Sequence, residues 1–148
     1  MPTLRNPADR AALIARLDRL TPAATPRWGR MNARQMLAHV VDGFRMAAGE
    51  LPVRSKHVLP LRHFPLKHLM LYVLPFPRNV PTAPELVSRP PESIDLERAR
   101  VKELLVVLGA FPDDARRAHH PIFGAMTTAH WGALGHKHCD HHLRQFGV

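Results

Sequence analysis

The sequence predicts an all-α fold. Four segments each combine a helix-start signal with an apolar stripe at helical spacing. No segment alternates apolar and polar residues as a half-buried strand does, and no internal repeat is present. The 148 residues read as one domain, 1–148, long enough to bury a core of its own.

The first helix is punctuated by Asn6 as N-cap and Pro7 at the first helical position. Leu13, Leu17 and Leu20 form its stripe, and Thr21-Pro22 stops it. In the connection PAATPRWG, Trp28 reads as a packing anchor. The second helix starts at Asn32, where Asn32 and Gln35 make a capping box and Met31 with Met36 a hydrophobic staple. Its apolar arc holds Met36, Leu37, Val40, Val41, Phe44, Ala47 and Ala48. Arg34, Ala38, Asp42 and Arg45 lie behind it, and His39 falls just inside its edge.

From Leu51 to Pro91 the chain is Pro-rich. Ser55 to Leu74 reads as one helix or two short ones, bent or interrupted at Pro60 and Pro65, and FPRNVPTAPELVSRPP as an extended crossover. His57, His63 and His68 share no face and read as surface or core histidines. A further helix begins near Ser93, with Asp95 and Glu97 at its positive end, and carries Val101, Leu104, Leu105 and Leu108 to Gly109. After Phe111 and Pro112, the acidic pair Asp113-Asp114 leads to HHPIFGAM, a non-helical approach in which His119 and His120 read as surface residues, with the edge of the site as the alternative. Thr127 or Thr128 caps the last helix.

The formal charge of +9 brings nucleic acid or another acidic partner into consideration, but the arginines are spread along the chain. There is no basic run with interleaved aromatics, no zinc-finger spacing and no RNA-binding motif, so a solvated basic surface is the expectation. The apolar stretch from Leu59 to Phe76 is broken by charges and prolines, which excludes a transmembrane helix there. The opening MPTLRNPADR lacks a secretory core, and the single Cys139 fits a reducing cytoplasm, so a cytoplasmic location is expected.

The last helix, in TTAHWGALGHKHCDHHLRQFGV, holds five of the eleven histidines. In a chain so rich in histidine, chance supplies about one HxxxH pair, so the pair His138/His142 gains weight only from its placement. On a wheel with Trp131 at the origin, His142 lies near +20° and His138 near −20° (both about), among Leu134, Gly135, Gln145 and Phe146. Lys137, Asp140 and Arg144 gather opposite, His136 points away, and His141 lies at the edge. Two imidazoles four residues apart on a buried face can chelate one ion. The alternative is a pair of core histidines bonded to each other or to the backbone. For a metal site, His39 is the best third ligand, and Gly43, one turn on, leaves space beside it. Gln145 and Asp42 are candidates for orienting the ligands, although Asp42 points more toward solvent. Trp131 joins Gly43 and Gln145 as a pocket candidate. No serine or cysteine nucleophile with a base is visible, Cys139 reads as a small packing residue, and no catalytic side chain is assigned.

The segments PRWGRMNARQMLAHV, PRNVPTAPEL and HPIFGAMTTAHWGAL, with HxxxH followed by HLRQFG, resemble the DinB/YfiT-like proteins, in particular a branch with endings of the HLDHHLRQFG kind. The resemblance spans most of the chain. It implies a four-helix bundle, here with a long Pro-rich crossover and extra short helix or helices between the second and third bundle helices. It also implies one divalent metal ion, nickel or zinc foremost, with manganese, iron or cobalt as alternatives, held by His39, His138 and His142. Relatives of this kind include thiol-dependent maleylpyruvate isomerases and bacillithiol transferases.

Three neutral histidines leave a divalent ion its full charge and an open position, which favours an activator over a structural zinc. The expected function is therefore a metal-dependent hydrolase or thiol transferase with a small-molecule substrate, possible low-molecular-weight thiols included. The alternatives are a non-catalytic metal-containing binding bundle and, behind it, a nucleic-acid-binding protein. A homodimer is expected from the large side chains of the crossover: Phe64, Leu69, Leu71, Tyr72 and Phe76.

Overall fold

The computed structural model describes residues 1–55, 59–113 and 118–148, and every regular element among them is helical. In chain order these are α1 (Pro7–Arg19), α2 (Ala33–Ala48), α3 (Leu66–His68), α4 (Ile94–Gly109) and α5 (Thr128–Gln145). The one-turn α3 runs directly into a π-turn at Leu69–Val73, and 3-10 turns occupy Leu59–Arg62 and Pro84–Leu86. His57 and the second half of the acidic pair, Asp114, lie outside the described residues.

The helix starts follow the side chains that the sequence supplies. Asn6 accepts from Ala8 N at 2.9 Å. Asn32 and Gln35 complete the capping box with two 2.9 Å bonds. Ser93 caps α4, and Thr127 caps α5 with His130 returning the bond to the Thr127 N–H. Gly49 closes α2 in the left-handed conformation at φ 85°, where a side chain would be strained.

The four long helices form the bundle. α1 packs against α4 and α5, and α2 packs against α4 and α5, so α1 and α2 stand at opposite corners. Leu13 and Leu17 of α1, Met36, Leu37, Val40 and Phe44 of α2, Val101 and Leu105 of α4, and Leu143 of α5 meet in one buried core. Leu4, which precedes α1, is fully buried as well. Its N–H donates to Gly132 O at 3.0 Å, and a Cβ on Gly135 would stand 2.7 Å from Leu4 Cδ1. The glycines of α5 thus make a groove for the N-terminal residues.

The crossover between α2 and α4 divides its apolar side chains. Leu71 is fully buried, and Tyr72 and Phe76 pack against the core, whereas Phe64 is 82% exposed and Val73 64%. Lys137, which the wheel of α5 turns toward solvent, instead donates to Met70 O at 2.8 Å and Leu71 O at 3.3 Å. Its ammonium satisfies carbonyls of the π-turn, and the hydrophobic pattern alone gives no sign of that docking.

Candidate metal centre

α2 and α5 bring His39, His138 and His142 together. His39 Nε2 lies 3.0 Å from His138 Nε2, and His142 Nε2 lies 3.1 Å from the same atom. Each ring offers one ligand atom, and the three atoms lie within 4.8 Å of one another. His136 and His141, on the same helix, are not in this group.

The far sides of two rings decide where their protons sit. Gln145 Nε2 donates to the Trp28 carbonyl at 2.6 Å, and a carbonyl can only accept. The amide oxygen of Gln145 therefore faces His142 Nδ1, 2.8 Å away, and that nitrogen must carry the proton. His39 Nδ1 lies 3.2 Å from the Leu86 carbonyl and is a donor for the same reason. Neutral His39 and His142 thus turn Nε2 lone pairs toward His138. A neutral His138 has at most one proton to share between two close N···N contacts. One contact then opposes two lone pairs, and a cation bound by all three nitrogens removes that conflict. Nitrogens at tetrahedral zinc–histidine distances stand about 3.3 Å apart, close to the 3.0 and 3.1 Å that separate His138 Nε2 from the other two. The residues present fit a divalent metal.

Burial keeps all three rings neutral. It lowers the His39 pKa, an effect that the Leu86 bond only partly offsets. It pushes His142 down to about 3, with His39 adding to the shift and Gln145 opposing it. His138 lies well below the ordinary histidine value because it is buried and has the other two rings as neighbours. Neutral imidazole is the form that binds metal.

The other residues singled out in the sequence are differently employed. A Cβ on Gly43 would stand 3.0 Å from His138 Cε1, so the glycine makes room for the ligand ring itself. Asp42, expected nearer solvent, is only 2% exposed. The end of the crossover covers that side of α2, and Asp42 Oδ1 accepts from Arg89 Nε at 3.3 Å and Arg45 Nη1 at 3.4 Å. Trp131 donates from Nε1 to Ala118 O at 3.2 Å and packs beside His120, 5.4 Å between ring centres. His120 is partly buried. Its Nδ1 accepts from Ile122 N at 3.1 Å and Phe123 N at 3.2 Å, and burial, aided by Lys67, pushes its pKa down to about 4. Cys139 is buried, which raises its thiol to about 12 and leaves it a packing residue.

Three contributors carry no signature in the sequence. The Leu86 carbonyl is a backbone atom, so no residue type announces it. Phe76 stacks on His138 at 5.9 Å and also lies 5.2 Å from His141, closing one flank of the cluster. A cleft of about 250 Å³ borders His39 on the side of Arg30, Met31, Asp42, Leu86 and Arg89.

Comparison with curated proteins and with solved structures finds no significant match. The sequence model of the DinB superfamily matches residues 6–146, nearly the whole chain, and this protein belongs to the DinB superfamily.

Proposed function

We propose that His39, His138 and His142 hold one divalent cation, zinc or nickel foremost, and that the protein is a metal-dependent enzyme acting on a small molecule by hydrolysis or thiol transfer. The observation that carries this reading is the convergence of three Nε2 atoms, two of which, on His39 and His142, have their ring protons directed to Nδ1. The donor set is all imidazole, which suits zinc, nickel, iron or cobalt better than magnesium or calcium. When bound, the ion supplies Lewis acidity, polarising a carbonyl or lowering the pKa of a thiol or water.

The remaining work falls to the chain. Leu86 and Gln145 hold His39 and His142 in their ligating tautomers. Phe76 shields His138 from water on one flank. The cleft beside His39 offers space to a small ligand, and of its charged lining residues Arg89 is already paired with Glu97 and Asp42. Among the described residues eight of the 21 Lys and Arg meet acidic groups of the same chain, as in Arg16–Asp140 and Lys102–Asp18, and the others are spread along the sequence, which supports a solvated surface over a nucleic-acid face.

Cobalt substitution tests the reading, because the visible spectrum of a cobalt site responds when its donors change. A shift on adding 2-mercaptoethanol that is lost in His138→Ala supports thiol transfer, and a response to acetate or hydroxide alone supports hydrolysis. A spectrum that ignores every added ligand contradicts the enzymatic reading and leaves a metal-containing bundle without turnover.

A further inference from the structure

We infer that Arg89 is a positioning residue for His39: it anchors the end of the crossover so that the Leu86 carbonyl faces His39 Nδ1. The inference rests on the three-histidine reading above and assigns a role to residues outside the ligand set.

The Arg89 guanidinium makes a two-pronged pair with Glu97 of α4, Nη1 to Oε1 at 2.5 Å and Nη2 to Oε2 at 2.9 Å. Its Nε reaches Asp42 Oδ1 at 3.3 Å, and Nη2 lies 3.5 Å from the Ala38 carbonyl. One side chain therefore ties α4 to the residue immediately before His39 and to the one three positions after it. Glu97 has no exposed surface. Its carboxylate is oriented in turn by the Glu92 N–H, which donates to Oε1 at 2.9 Å. Burial raises the Glu97 pKa, but the bonds from Arg89 and Glu92 outweigh it and the carboxyl stays below its ordinary value, ionised as the pairing requires.

The carbonyl sits in a hydrogen-bonded turn close to the anchor in sequence. Leu86 N donates to Ala83 O at 3.0 Å, Val87 N to Pro84 O at 3.1 Å, and Ser88 Oγ to Glu85 O at 3.3 Å. These bonds close the turn at Pro84–Leu86, and Arg89 follows three residues beyond Leu86. Stability alone does not account for the pair. α2 and α4 already share the most extensive helix contact in the bundle, and an apolar pair of similar volume usually stabilises as well as a buried ion pair does. What the charged pair adds is orientation, and the atom it orients is the acceptor for His39 Nδ1–H. Without that acceptor the proton of neutral His39 is free to move to Nε2, where it blocks ligation.

The test is the double variant Arg89→Met/Glu97→Leu, which removes both charges of the pair and leaves Asp42 with Arg45 as its cation. In metal-free protein, nitrogen-15 NMR of the histidine rings should show His39 as Nδ1–H in the wild type and as a mixture with Nε2–H in the variant. Zinc affinity, measured by competition with a chromophoric chelator, should fall by about 10- to 100-fold although all three histidines remain. A variant with the wild-type tautomer and wild-type zinc affinity overturns the inference. Arg89→Lys keeps Glu97 paired but lacks the fork, so it should shift the same two readouts in the same direction by less, and it decides the matter should the double variant fail to fold. Wild-type protein that binds no zinc refutes the three-histidine reading instead, and the tautomer comparison still decides the role of Arg89.

Discussion

Gln145 stands between His142 and the chain at Trp28, taking the Nδ1 proton of His142 at 2.8 Å and giving one of its own to the Trp28 carbonyl at 2.6 Å. The connection between α1 and α2 thereby fixes the orientation of His142 on α5. Gln145→Leu should leave Nδ1–H buried without a partner and free the ring to turn. Metal affinity should drop about 10- to 100-fold, with all three ligands still in place. Calorimetric titration with zinc checks it, and an unchanged dissociation constant would mean that the glutamine only packs.

Gly43 separates stability from metal binding. An alanine there gains helix propensity of roughly 1 kcal/mol. Its Cβ would also press on His138, 3.0 Å from Cε1 and 3.3 Å from Nδ1, and the ring must shift by a few tenths of an ångström to admit it. Gly43→Ala should weaken metal binding severalfold while leaving the melting temperature of the metal-free protein level or higher. Equal losses of both would assign Gly43 a purely structural role.

Acid should unfold the metal-free protein early. His39, His138, His142 and His120 all have folded pKa values below the ordinary one, with His142 near about 3 and His120 near about 4. Between about 6.5 and those values the unfolded chain binds protons that the folded chain refuses, so stability must fall as pH falls through that window. Above it these groups contribute no pH dependence. Urea denaturation of metal-free protein at pH 7.5, 6 and 5 should give steadily lower midpoints, and added zinc should offset the loss by favouring the neutral rings. A flat profile from pH 7.5 to 5 would contradict burial of these histidines.

The outward half of the crossover motivates a further proposal, a homodimer. Phe64, Leu66, Val73 and Leu74 are exposed on the segment that buries Leu71 and packs Tyr72 and Phe76 against the core. Light scattering at high micromolar concentration should report a dimer, and Phe64→Asp should return it to a monomer. A monomer in the wild type rules the proposal out.

The long helices were legible because each carries its own cap and stripe: Asn6 with Pro7, Asn32 with Gln35, and Ser93 ahead of Val101 and Leu105. The grouping of His39, His138 and His142 was legible for the same reason, since a helical wheel fixes direction. The parts that depend on chain returning from a distance were not. Asp42 reads as solvated on its own helix, and only the arrival of Arg89 buries it. Glu97 suits a helix N-terminus by local rules, yet its partner lies in the preceding loop. Leu86 acts through a backbone carbonyl, to which the identity of its side chain gives no clue.

The central claim is one divalent ion per chain on three named rings. Elemental analysis of protein purified without chelator or added metal tests it most directly, with His39→Ala, His138→Ala, His142→Ala and His136→Ala measured in parallel. The account predicts close to one equivalent of a single transition metal in the wild type and in His136→Ala, and a sharp loss in each of the other three. Metal content unchanged in those three variants, or a folded wild type that neither carries nor takes up a transition metal, would contradict it.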